Sequence, residues 1–292
     1  MTRRFDLILA VDWSARAKPS PARPVKDAIF VGQWHRGVAL PPAYHRTRHA
    51  AMQAITATLN AALSAGERVF LGFDFAFGYP AGFAAELTGQ ADALAVWDWL
   101  EARMQDAPDN ANNRFAVAAI ANGAFPGLGP FWGRPAGLNA PTLPAKGSLR
   151  HGHGLPDRRA VEHRLRGAQS AFKLFTVGAV GSQSLTGLPH LARLRGRYQR
   201  ALSVWPQETG WQLPTTPIVL AEIWPSLFPV DHRSDAIPDA RQVRATVSAI
   251  AAFDGAGHTA ALFGPPPGLD DPDRVAREEG WIFGADHHIL SP

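Results

Sequence analysis

This chain is expected to form an α/β fold, a mixed sheet flanked by helices with a mostly helical insertion between its fourth and fifth strands. Three observations lead there. The apolar runs Leu7–Asp12, Val69–Asp74 and Ile218–Glu222 each end on one carboxylate, and runs this short and apolar suit strands buried on both faces. The first 74 residues read strand, strand, helix, strand, which is an α/β signature. Residues 78–215 change texture, with helical spacings separated by Gly- and Pro-rich segments.

The first strand covers about 6–12, and a Pro-, Ala- and Lys-rich loop follows at 15–26. A second strand near 27–36 has Ala28, Phe30 and Gly32 alternating with Ile29, Val31 and Gln33. Residues 37–47 leave room for a short third strand and a turn broken by Pro41 and Pro42. Between Thr47 and Ala65, Ile55, Leu59 and Leu63 recur at a spacing of four, as on one helical face, and Gly66 ends the helix. The strand to Asp74 follows at once. Inside the insertion, helices are expected at 91–105, with Leu94, Trp97, Leu100 and Met104, at 112–121 and, basic in character, at 158–173. Residues 122–156 are Gly/Pro-rich, Phe175 to Gly187 reads as a Gly- and Ser-containing loop, and 188–203 as a further basic segment. The sheet resumes at 217–223. Val243, Val247 and Ile250 mark a helix at about 239–253, and a short helix near 272–279 leads to Trp281, Ile282 and Phe283. A single domain over 1–292, carrying a helical cap at about 78–215, accounts for this order.

Composition excludes several classes. With 46% apolar and 18% charged residues the chain is globular rather than disordered. No apolar stretch approaches the ~18–20 residues of a membrane span, and the start has no small-residue cleavage site, so a cytoplasmic protein without a membrane partner is expected. The absence of cysteine excludes disulfide-linked partners, thiolate nucleophiles and cysteine-bound zinc. No Gly-x-x-x-x-Gly-Lys-Ser/Thr phosphate loop is present. The formal charge is +4 and the basic residues are nearly all Arg, clustered at Arg158, Arg159, Arg164 and Arg166, then Arg193, Arg195, Arg197 and Arg200. Arg suits bidentate phosphate contacts, so nucleic acid or another polyanion is a candidate partner. An Arg-rich composition can also reflect the genome alone.

The acids carry the chemistry. An ionised carboxylate at a buried strand end is costly unless it is paired or holds a cation. Side chains alternate along a strand, so Ile8, Ala10 and Asp12 share one face, as do Phe70, Gly72 and Asp74. If the strands are neighbours, their acids converge. Each acid could instead cap a helix or pair with an Arg.

Several motifs together resemble the DUF429 family, a group of predicted nucleases of the ribonuclease H-like fold. They are Ala10-Val11-Asp12-Trp13-Ser14, Gly72-Phe73-Asp74-Phe75-Ala76-Phe77-Gly78-Tyr79-Pro80, Gly178-Ala179-Val180-Gly181-Ser182-Gln183, Ala221-Glu222-Ile223-Trp224-Pro225 and Glu279-Gly280-Trp281-Ile282. The resemblance implies a ribonuclease H-like mixed sheet with the first and fourth strands adjacent at its centre. It also implies an acid cluster of Asp12, Asp74, Glu222 and, at the start of the late helix, Asp239. This chain has Ala76 where the family often has Pro, and Gln242 or Arg244 where related folds often have a further Asp.

The expected activity is divalent-metal-dependent phosphodiester hydrolysis, with Mg²⁺ or Mn²⁺ held by Asp12, Asp74, Glu222 and Asp239. A two-metal site needs hard oxygen ligands around ions ~3.5–4 Å apart, one activating water and the other stabilising the leaving oxygen. Lys173, Ser182 and Gln183 are the candidate substrate contacts, since small residues expose backbone N–H groups and the polar side chains can donate to phosphate. Trp13 and Trp224 flank the proposed site and could stack on a base, or serve as core or lid residues. The histidines His151, His153, His163, His287 and His288 are read as non-catalytic. A non-catalytic polyanion binder and an enzyme acting on a small phosphorylated metabolite are the alternative readings.

Overall fold

A computed structural model of the chain describes residues 3–176, 178–228 and 237–287. Its centre is a six-stranded mixed sheet in the order β3-β2-β1-β4-β6-β5. The strands are β1 (Leu7–Asp12), β2 (Ile29–His35), β3 (Val38–His45), β4 (Val69–Phe73), β5 (Leu202–Trp205) and β6 (Ile218–Glu222). β1 pairs antiparallel with β2 and parallel with β4, and β4 pairs parallel with β6. The expected adjacency of the first and fourth strands is therefore present; β1 is buried up to the partly exposed Asp12, and every residue of β4 is buried. Parallel strands of this kind need cover on both faces, which is why their sequences run apolar without alternation.

That cover comes from two groups of elements. Leu7, Leu9, Val11, Leu71 and Phe73 pack on one face with α1 (Arg48–Ser64), α3 (Ala93–Glu101) and α6 (Gly181–Tyr198). Ile8, Ala10, Phe70 and Val219 pack on the other with α7 (Pro238–Gly255) and the segment Trp281–Phe283. Thr47 caps α1 by accepting the Ala50 N–H at 3.2 Å, as the sequence boundary suggested.

Three expectations are corrected. The sheet resumes at β5, Leu202–Trp205, inside the range read as insertion; four residues ending at Pro206 are too short to register as a strand from pattern alone. The basic helix at 158–173 shrinks to α5, Ala160–Arg164. The region Phe175 to Gly187 is not all loop, because α6 begins at Gly181. Gly187 is there for packing: a Cβ on it would lie 2.2 Å from the ring of Phe75. Other insertion helices, α2 (Phe83–Thr88) and α4 (Arg114–Asn122), are short. No helix among the described residues is long and apolar enough to cross a membrane.

Candidate functional site

The C-terminal ends of β1 and β4 bring Asp12 and Asp74 together. Val11 pairs with Phe73 across the two strands, so the next residue of each is an acid at the same level and on the same face. Asp74 follows the last residue of β4, donates its N–H to Val11 O at 3.1 Å, and accepts the Trp13 N–H on Oδ1 at 2.7 Å. The two side chains are hydrogen-bonded to each other, with Asp12 donating and Asp74 accepting.

The electrostatics of this pair are one-sided. Burial, then the charges of Asp74 and Asp239, hold Asp12 well above the usual carboxylate range, and Asp27 adds to them. Burial lifts Asp74 to about 7, against the hydrogen bonds from Trp13 and Asp12 that pull it down. Asp239 lies in the first turn of α7 and accepts the Asp27 N–H at 2.6 Å; burial raises it above its ordinary value, and the Asp27 charge does the same. Asp239 and Asp27 are thus close enough to Asp12 to add to the negative charge around it.

Glu222 belongs to a different environment. The five-residue run Ile218–Glu222 aligns with Val69–Phe73, so Glu222 pairs with Phe73 and it is Ile223 that stands level with Asp74. One position of offset moves a strand side chain to the opposite face. Glu222 shares the parity of Ile218 and Leu220, whereas Asp12 shares that of Ile8 and Ala10. Its two oxygens take a bidentate ion pair from Arg159, at 2.7 and 2.8 Å, and Oε2 also accepts the Phe77 N–H at 2.9 Å.

Arg159 is buried with Glu222 and continues the network. Its Nε donates to Glu162 Oε1 at 2.9 Å and its Nη1 to Glu279 O at 3.0 Å. Glu279 accepts the Ala81 N–H at 2.9 Å and the Ala160 N–H at 2.6 Å, while Glu278 accepts the Gly82 N–H at 2.7 Å. This explains the Gly in Asp74-x-x-x-Gly78: a Cβ there would come within 2.5 Å of Glu279 O. A pocket opens over the two groups, lined by Asp74, Arg159, Glu162, Gln169, Glu222 and Trp224, among others.

The remaining candidates divide. Trp224 is half-buried and lines that pocket. Trp13 is 1% exposed; its ring packs on Phe73, Phe75 and His190, and its Nε1 donates to Thr186, so it presents no face for stacking. Ser182 is also committed, accepting from Arg114 at 3.0 Å and donating to Leu174 O at 2.6 Å. Gln183 donates to Trp13 O at 3.2 Å, while its Oε1 is buried with no hydrogen-bond partner among the described residues. Lys173 donates to Gln169 at 3.2 Å, a pocket-lining residue. Asp286 pairs with Arg164 at 2.7 Å, and His288 lies outside the described residues.

Asp27, Arg159 and Glu279 were not singled out from sequence as site residues. In the sequence Arg159 is one member of a basic cluster, and nothing local to it pointed to Glu222, 63 residues away. Among the described residues, no three His, Cys, Asp or Glu side chains are close enough to hold one metal ion. Two carboxylates suffice for Mg²⁺, which keeps several waters and is bound through one or two acids plus substrate phosphate. Asp12 and Asp74 fit that requirement, and Asp239 is near enough to add charge. Comparison with protein-family models, with curated proteins and with solved structures finds no match.

Proposed function

We propose that the chain is a divalent-metal-dependent phosphodiester hydrolase of the ribonuclease H-like fold, acting through Asp12 and Asp74. The observation that carries the reading is the convergence of Asp12 and Asp74 at the ends of two adjacent strands, with Asp239 and Asp27 close enough to raise Asp12 further. Paired carboxylates are hard oxygen donors, which favour Mg²⁺ or Mn²⁺. The strand order around β1 and β4 and the motifs that resemble DUF429 support the same assignment.

In this reading Asp12 and Asp74 hold the ion, and Asp239 adds negative charge from the first turn of α7. A bound divalent ion supplies an acidified water and charge stabilisation on a phosphoryl oxygen. The acid pair gives up a proton on loading, so occupancy rises with pH. The Trp13 N–H keeps Asp74 oriented toward Asp12. Gln169 and Trp224 form the pocket wall that a substrate would meet.

The pocket's lining favours a second reading of the substrate. Among the described residues its one basic lining residue, Arg159, is engaged by two glutamates. With no free basic residue among the described lining to follow a phosphate backbone, a small phosphoester or a chain end suits it better than the middle of a polyanion. The test is Mn²⁺-dependent cleavage of labelled DNA, RNA and hybrid substrates beside bis(p-nitrophenyl) phosphate, using wild type and Asp12→Asn/Asp74→Asn. Cleavage by wild type alone is expected; equal activity in the double variant would sink the proposal. Salt-sensitive binding without cleavage, unchanged in that variant, would instead favour a polyanion-binding protein.

A further inference from the structure

We infer that Arg159 withdraws Glu222 from metal binding, so that this chain binds a single divalent ion, at Asp12 and Asp74. The inference rests on the metal reading of Asp12 and Asp74. Glu222, the acid expected to hold the second ion, offers neither oxygen freely: Oε1 is 2.7 Å from Nη2, and Oε2 is 2.8 Å from Nη1 and 2.9 Å from the Phe77 N–H. Bidentate Arg–carboxylate bonds of this length are the strong, geometrically specific kind. An ion reaching Glu222 would have to displace them in a site where Glu222 is 3% and Arg159 2% exposed.

Arg159 cannot easily withdraw. Its Nε is tied to Glu162 at 2.9 Å and its Nη1 also reaches Glu279 O at 3.0 Å. Moving the guanidinium away would leave Glu162 and Glu222 both buried and unpaired, which is strongly unfavourable. The one-residue offset of β6 acts in the same direction, since Glu222 has the opposite strand parity to Asp12. A fixed positive charge therefore lines the pocket that also contains Asp74. Unlike an ion, it is never lost to dilution or chelation.

Mn²⁺ stoichiometry tests this directly, without reference to turnover. Calorimetry, with electron paramagnetic resonance of the free ion, would be run on wild type, Glu222→Gln and Asp12→Asn/Asp74→Asn, each with and without inorganic phosphate. One ion per chain is expected in wild type and in Glu222→Gln, and none in the double variant. Two ions per wild-type chain, the second lost in Glu222→Gln, would overturn the inference while leaving the metal reading intact. No Mn²⁺ bound to wild type would overturn both. Wild-type stoichiometry decides alone if Glu222→Gln does not fold.

Discussion

Burial holds both Asp12 and Asp74 above the usual carboxylate range. Because the folded value of Asp74 is raised from 3.8 to about 7, its contribution to stability is fully present below 3.8 and is lost as pH rises through about 7. The melting temperature of the metal-free protein should accordingly fall across that window. In Asp74→Asn the fall should be smaller, and millimolar Mg²⁺ should restore wild-type stability above pH 7, all checked by scanning calorimetry. Trp13 separates packing from recognition. Trp13→Ala should cost about 3–5 kcal/mol in urea unfolding, as buried aromatic truncations do, whereas Trp224→Ala should act mainly on KM. The pair Asp12/Asp74 was legible in sequence because both runs have six residues and end in phase. Glu222 resisted the same reading because its run has five, and phase between strands distant in sequence is fixed only by their pairing.

At the scale of elements, α6 shows how a helix can hide. Its first half contains Gly181, Ser182, Ser184, Gly187 and Pro189, a composition that reads as loop. Buried contact overrides that preference: the missing side chain of Gly187 admits the ring of Phe75, two residues after β4 and one after Asp74. Gly187→Ala would gain up to about 1 kcal/mol of helix propensity on an open surface. Here the clash should dominate, for a net loss of about 1–3 kcal/mol measured by denaturant unfolding. α1 and α7 were legible because their apolar positions recur with helical spacing and face the sheet directly: Ile55 and Leu59, Val243 and Val247 are all buried.

At the scale of the whole chain, Arg159 joins three regions separated in sequence: the insertion through Glu162, β6 through Glu222 and the late segment through Glu279. Arg159→Ala should destabilise the protein by about 3–5 kcal/mol, the range for removing one partner of a buried ion pair, with urea unfolding as the measurement. None of this network was legible from composition, where Arg159 was one member of a basic cluster. Other members of those clusters are engaged at the surface, as Arg193 is with Glu101 and Arg195 with Glu208. The late segment also bears on timing. Glu279 holds Ala81 across 198 residues, and Asp239 reaches Asp27 across 212. Contacts of such span form late, after long loops have closed. On the ribosome, Asp12 and Asp74 emerge early, yet the acid on α7 and the clamp at Glu279 do not exist until most of the chain has been made.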